Sequence, residues 1–370
     1  MILGMTGRYL PLVALATLAA CSAPRDPAPA GPRVVVTERV PGADASGAKD
    51  RPVDDGPAGP GVTQPRGVLT GVDVLAAEGA GPLAGLRVGL ITNHTGVTRD
   101  GRSTIDVLNG LPGVELVALF GPEHGIRGAA QAGETVESGR DAATGLPVYS
   151  LYDQTRAPTE AELANVDALV FDMQDVGARF YTYIWTMAQA MREAARHGTL
   201  FVVLDRPNPI RGDIVQGNVQ DSAHLTFLGL YPMATRHGMT VGEVAQWLNG
   251  EHAIGARLEV VRMRGWRRDM SWSETGLTFV PPSPNMPTPV SALHYPGTCF
   301  FEQTSLSVGR GLPTAFQQIG APWLDHEELI ERLNAKGLPG VRFEAVVFPA
   351  VNPESQSHLG ERMPGDRNGV

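Results

Sequence analysis

The sequence predicts an α/β fold, a doubly wound, mostly parallel sheet followed by a smaller α+β C-terminal domain. Three observations point there. Short, uninterrupted apolar runs recur through residues 67–235, the pattern of strands buried on both faces. Helical segments with recognisable ends lie between them. The residues just past most of the runs are polar or ionisable, and an open parallel sheet binds its ligands beyond the carboxyl ends of its strands.

The elements follow in order. Leu86–Thr92 (LRVGLIT) and Val114–Phe120 (VELVALF) are strands by this pattern, Val148–Leu151 is a short one, and Ala168–Phe171 and Leu200–Leu204 (LFVVL) complete the series. Ser103–Leu108 follows a Gly-Arg turn and reads as a helix. Thr159–Asn165 opens on a Thr-x-x-Glu capping box made by Thr159 and Glu162, in which each residue satisfies the other's backbone N–H. Tyr181–His197 is a long helix stopped at Gly198, the residue type that turns left-handed at a C-terminus at least cost. A helix over Val241–Asn249 follows Thr240 and belongs to a second domain, 236–370, with Pro-rich loops and less regular strands. Arg362–Val370 is polar, Gly-rich and uncapped, so that domain is expected to be incomplete.

The N-terminus reads as an export signal over residues 1–21. Arg8 precedes an apolar run, Leu10–Ala20, too short to span a bilayer and suited to a signal peptide. It ends Leu18-Ala19-Ala20-Cys21, which resembles a bacterial lipobox, with cleavage before Cys21 and lipid on its thiol. Ser22 rather than Asp then favours the outer membrane, facing the periplasm. Lipid on Cys21 leaves Cys299, the other of two cysteines, without a disulfide partner; among Tyr295, Phe300 and Phe301 it reads as a small buried hydrophobe. Residues 22–66, dense in Pro, Ala, Gly and Asp with one apolar cluster at Val34-Val35-Val36, read as a disordered tether.

Composition narrows the function classes. The 370 residues are 42% hydrophobic and 19% charged, which excludes collagen-like, coiled-coil and wholly disordered chains. The net charge is −9, and no basic stripe stands against it, so no nucleic-acid partner is expected. Walker A, Gly-x-Ser-x-Gly, Ser-x-x-Lys, Cys-x-x-Cys, His-Glu-x-x-His and Gly-x-Gly-x-x-Gly patterns do not occur at the strand ends. His94, Glu123, His124, Asp172 and His294 have no established ligand spacing, so neither metal nor cofactor is expected.

The strand ends carry the chemistry. Asn93-His94-Thr95 follows the first strand, Glu123-His124-Gly125 the second, Asp172 and Gln174-Asp175 the fourth, and Asp205-Arg206-Pro207-Asn208-Pro209 the fifth. A partly desolvated carboxyl at Glu123 suits a general acid; capping a helix or pairing with Arg127 is the bland reading. Asp172 and Asp175 are candidates for a second carboxylate or for loop caps. Asp205-Arg206 reads as a strand-end ion pair. Asn93, His94 and His124 suit ligand hydroxyls. Tyr181 and its aromatic neighbours suit a pyranose face, with Trp185 in the core. Arg127, Arg179, Arg206 and Arg310 are the anion-binding candidates, since guanidinium binds carboxylate through two hydrogen bonds.

Seven strings together resemble one family: Leu90–Val97 (LITNHTGV), Gly121–Gly128 (GPEHGIRG), Phe171–Tyr183 (FDMQDVGARFYTY), Asp205–Pro209 (DRPNP), Arg236–Thr240 (RHGMT), Pro282–Pro287 (PSPNMP) and Ser307–Gly311 (SVGRG). The chain is identified by them as similar to the exo-β-N-acetylmuramidases, from about Gly67 to at least Trp323. The resemblance implies a Rossmann-like N-terminal domain, a smaller C-terminal one and an active site in the cleft between them. It also implies removal of N-acetylmuramic acid from the non-reducing end of peptidoglycan fragments, with Glu123 the leading catalytic residue. Asn285 and Glu302 join the substrate-binding candidates through their motifs. The Phe301-Glu302-Gln303-Thr304-Ser305 string departs from the family's Phe-Glu-Gly-Thr-Asn at Gln303 and Ser305, and Leu312 and Ala315 replace Thr and Pro.

The expected mechanism has Glu123 protonating the glycosidic oxygen of an oxocarbenium-like transition state. Asp172, Asp175 or the substrate's own 2-acetamido group supplies the second function. The lactyl carboxylate of muramic acid falls to Arg310 or Arg179. A metal-dependent envelope hydrolase and a non-catalytic muropeptide-binding lipoprotein are the competing classes. Chelation would distinguish the first, and binding unaffected by Glu123→Gln the second.

Overall fold

The computed structural model describes residues 33–38, 67–123, 125–126, 138–152 and 156–348. Its strands are β1 (Arg33–Glu38), β2 (Leu86–Thr92), β3 (Val114–Gly121), β4 (Gly139–Arg140), β5 (Pro147–Ser150), β6 (Ala168–Asp172), β7 (Leu200–Leu204), β8 (Gln216–Val219), β9 (Ala234–Arg236), β10 (Arg257–Val261), β11 (Gln318–Ile319) and β12 (Val341–Val346). Its α-helices are α1 (Gly71–Glu78), α2 (Thr104–Gly110), α3 (Glu160–Leu163), α4 (Tyr183–His197), α5 (Val241–Glu251), α6 (Trp272–Thr275), α7 (Pro289–Thr298) and α8 (His326–Asn334).

Seven strands form the main sheet in the order β10-β7-β6-β2-β3-β5-β4. All neighbours are parallel except β4, which runs antiparallel to β5. The uninterrupted apolar runs are explained by burial on both faces. Val88, Leu90, Leu119, Val170, Val202 and Leu204 pack with α1 and α2 on one side. The alternate residues Ile91, Phe120, Leu169, Phe171, Phe201 and Val203 pack with α4 and α5 on the other. Fully burying one such side chain stabilises the fold by about 1.5–3 kcal/mol, so these strands set where the rest of the chain can go.

The sheet does not stop at residue 235. Strand β10 pairs in parallel with β7 from Arg257 to Val261, so the expected boundary at 235–236 falls inside the α/β layer. Helix α1 starts against the ends of β7 and β10, closely enough that a Cβ on Gly71 would lie 2.4 Å from the Asp205 amide nitrogen. The later part is smaller. Its three strands run in the order β11-β1-β12, all antiparallel, and α8 lies beside β12. Strand β1 comes from the stretch read as a tether and includes its one apolar cluster. Among the described residues no helix is long and apolar enough to cross a membrane.

Helix α4 stops where expected: Gly198 has φ 68° and ψ 13°, and its N–H closes on Ala194 and Ala195 carbonyls. Its start differs. The helix begins at Tyr183, two residues late, with Thr182 at the N-cap but no side-chain cap. The Thr182 hydroxyl donates instead to Glu123 Oε2 at 2.6 Å.

Candidate active site

Beyond the ends of β3 and β6 lies a cavity of about 350 Å³, within the usual size of a small-ligand site. Its walls come from both parts of the chain: Glu123, Tyr152, Tyr181 and Thr182 on the sheet side, and Tyr295, Cys299, Arg310 and Phe316 on the other. Glu123 follows Pro122 directly after β3 and is 9% exposed. Pro122 turns the chain back, its carbonyl accepting the Gly125 N–H at 2.9 Å. That turn presents the carboxyl across the gap to Thr182 at the head of α4.

Besides the Thr182 hydroxyl that donates to it, two phenols feel the charge of this carboxyl. Burial and then the Glu123 charge push the Tyr152 hydroxyl up, with Arg156 opposing. Burial, then Glu123 and more weakly Asp175, push Tyr181 up as well. Both phenols therefore stay O–H groups through the neutral range. The aromatic wall behind them is a chain of edge-to-face contacts, Phe180 to Tyr295 at 5.0 Å and Tyr295 to Phe316 at 4.7 Å.

The two aspartates expected to serve beside Glu123 have separate environments. Asp172 is fully buried at the end of β6. Arg206 Nε donates to its Oδ1 at 2.5 Å and Nη2 to its Oδ2 at 2.9 Å, and the Thr104 hydroxyl donates to Oδ2 as well. Its oxygens are thus filled; neither it nor Asp175 is in the cavity wall itself. Asp175 is also buried, with Oδ2 accepting the Gly177 N–H at 2.7 Å and facing His237 Nε2 at 3.2 Å. His237 Nδ1 accepts the Met239 N–H at 3.2 Å, which leaves Nε2 to carry a proton toward Asp175. The other oxygen, Asp175 Oδ1, is buried without a hydrogen-bond partner, and so is Asn93 Nδ2.

Asp205 and Arg206 do not pair with each other. Neighbours on an extended strand point to opposite faces, so Arg206 turns to Asp172 while Asp205 turns to α5. There Asp205 accepts Gly242 N–H at 2.7 Å and the Thr240 hydroxyl at 3.1 Å. Burial raises its carboxyl to about 6, against the pull of Gly242, Thr240 and Arg206. Below pH 3.8 the folded and unfolded chains both hold this proton; between 3.8 and about 6 only the folded chain does. Stability from this group is therefore full below 3.8 and declines as pH rises to about 6, by about 3 kcal/mol. Urea midpoints taken from pH ~4 to ~7 will show that decline, and Asp205→Asn will remove it; parallel profiles would contradict the assignment.

The remaining candidates divide. Tyr181, Glu123 and Arg310 line the cavity. Arg179 does not: its Nη1 donates to Asn218 and Met233 carbonyls at 2.8 and 2.6 Å, clamping the β8–β9 hairpin. Asn285 Oδ1 accepts the Gly311 N–H at 2.7 Å and joins two loops. His94 Nε2 meets the Pro281 carbonyl at 2.7 Å. Glu302 accepts from Arg310 Nε and faces the Cys299 thiol at 3.2 Å. Burial, then the Glu302 charge, pushes that thiol well up. His124, Arg127 and Cys21 lie outside the described residues. Tyr152, Arg156, Thr182 and His237 belong to the site or its support without having been singled out as binding or catalytic. Thr182 and His237 stand inside the quoted motifs, whereas Tyr152 and Arg156 carried no local signal. Among the described residues no three His, Cys, Asp or Glu side chains converge to hold a metal.

Family models described as exo-β-N-acetylmuramidase NamZ match the chain over residues 88–290 for the N-terminal domain and 293–367 for the C-terminal domain. The peptidoglycan β-N-acetylmuramidase NamZ of Bacillus subtilis (strain 168) is 50% identical over 293 residues, 79% of this chain and 70% of that protein. The crystal structure of a DUF1343 family protein from Bacteroides fragilis NCTC 9343 is similar with a TM-score of 0.71 and 45% identity, over 76% of this chain and 72% of that one. A second DUF1343 protein from the same organism gives a TM-score of 0.59 and 33% identity, over 69% and 67%.

Proposed function

The chain belongs to the exo-β-N-acetylmuramidase family, and from that premise we propose how its own residues carry the reaction. It is a peptidoglycan glycosidase that releases N-acetylmuramic acid from non-reducing ends. Glu123 is the general acid. The observation that carries this is its position: a buried carboxyl in the cavity wall, held by the Thr182 hydroxyl at 2.6 Å. A single cavity of about 350 Å³ accepts one sugar residue at a chain end more readily than a continuous strand.

Asp175 supplies the second carboxylate. Asp172 is committed to Arg206 and Thr104, whereas Asp175 Oδ1 is buried and unpaired, a costly state unless a ligand group meets it. His237 fixes its orientation through Oδ2. The Tyr181 hydroxyl, shifted by both carboxylates, lies in the field of each. The test is turnover of a chromogenic β-N-acetylmuramide beside the matching N-acetylglucosaminide, with the first-formed anomer read by NMR. Muramide turnover that Asp175→Asn slows far more than Asp172→Asn does per folded molecule supports the assignment; the reverse order overturns it.

The export reading completes the proposal. Lipid on Cys21 would contribute about 0.8 kcal/mol per buried CH₂, enough with several chains to hold the enzyme at the outer membrane. The support is the register of Leu18-Ala19-Ala20-Cys21 at the end of the apolar run. Metabolic labelling with a fatty-acid analogue is expected to mark the protein, and Cys21→Ala to abolish the label; a labelled Cys21→Ala protein would refute the anchor.

A further inference from the structure

The lactyl carboxylate that distinguishes muramic acid from glucosamine calls for a cation, and both arginines expected to meet it have other duties. Arg179 serves backbone carbonyls. Arg310 lines the cavity but is 3% exposed and donates Nε to Glu302, so its charge is already matched. The same cavity has another arginine in its wall, Arg156. Its residue is exposed, and its guanidinium carbon lies 4.0 Å from the centre of the Phe227 ring and 5.2 Å from that of Tyr152. Cation–π contact of this kind holds the group while leaving its in-plane N–H donors unfilled. Among the described residues no carboxylate pairs with it.

Tyr152 links the two groups. After burial, its hydroxyl feels the Glu123 charge and, in the opposite sense, that of Arg156, and the Arg156 guanidinium carbon lies 5.2 Å from its ring centre, so acid and arginine border the same tyrosine in one cavity wall. In a muramyl residue the lactyl group on C3 is two ring carbons from the anomeric carbon that bears the glycosidic oxygen, so a sugar held at Glu123 carries its carboxylate within the same cavity.

We propose that Arg156 binds the lactyl carboxylate and thereby sets the preference for muramic acid over glucosamine. The proposal rests on the assignment of Glu123 to the scissile bond. A planar fork with five donors takes a carboxylate through two parallel hydrogen bonds. The rings beneath it keep that fork oriented before the sugar arrives.

The test uses the full chain, a chromogenic β-N-acetylmuramide and the methyl ester of its lactyl group. Arg156→Ala is expected to lower kcat/KM on the acid by about 10- to 100-fold, mainly through KM. On the ester the variant and the parent protein should converge within about threefold, because the charge that Arg156 reads is gone. Arg156→Lys should recover part of the loss, keeping the charge without the fork. An equal loss on acid and ester, or no loss on either, would overturn the proposal. If Glu123→Gln turns over the acid as fast as the parent protein does, the Glu123 assignment has failed, and calorimetry decides Arg156 separately. Tighter binding of free N-acetylmuramic acid than of its methyl ester, abolished by Arg156→Ala, supports the site; equal affinities refute it.

Discussion

Glu123→Gln lowers kcat on a muramide by roughly 10²- to 10⁴-fold, the usual contribution of a positioned general acid, and leaves the fold intact. Glutamine keeps the shape and can still accept from Thr182, whose hydroxyl lies 2.6 Å from the carboxyl. It cannot deliver a proton to a leaving oxygen. The loss should appear in kcat and kcat/KM alike, the signature of an interaction made only in the transition state. It should shrink on a substrate whose leaving group needs no proton, such as a dinitrophenolate. Steady-state kinetics on a phenyl and a dinitrophenyl muramide measure both effects. Equal losses on the two leaving groups would assign Glu123 to another step.

The largest effect on stability is expected at Arg206. Arg206→Met removes the partner of an Asp172 carboxylate that is fully buried. Leaving such a charge unpaired costs about 3–5 kcal/mol, a large share of the roughly 5–15 kcal/mol that holds a domain together. The damage would spread, because this pair ties the end of β6 to the loop that follows β7, while Thr104 of α2 and the Val97 carbonyl join the same cluster. Urea denaturation should show a sharply lower midpoint with little change in slope. The double change Arg206→Met with Asp172→Leu should regain much of the loss, since no charge is then stranded. A single variant as stable as the parent would show that the pair is worth little here.

Much of this was legible in the sequence. Five strands and the helices between them followed from apolar runs and caps, because burial on both faces imposes that composition. Gly198 marked the end of α4 through its backbone freedom alone. Strand β10 escaped because it lies at the sheet edge with exposed and half-exposed residues, and so lacks the continuous apolar run. The site was legible in its parts and not in its pairings. Glu123, Tyr181 and Arg310 are together, but a string of letters does not reveal that Arg310 faces Glu302, or that Arg206 faces Asp172 rather than its neighbour Asp205. Tyr152 and Arg156 follow a short strand without any motif, and the contact of Arg156 with Phe227, far along the chain, appears only in the fold.

The composition of the cavity wall also bears on how the enzyme is made. Glu123 and Thr182 leave the ribosome long before Tyr295, Arg310 and Phe316, which complete the same enclosure. Contacts so distant in sequence form late, and a growing chain offers the acid with no pocket around it. The enclosure therefore depends on two stretches of chain being packed together, and a change that loosens the second part is felt at a carboxyl carried by the first.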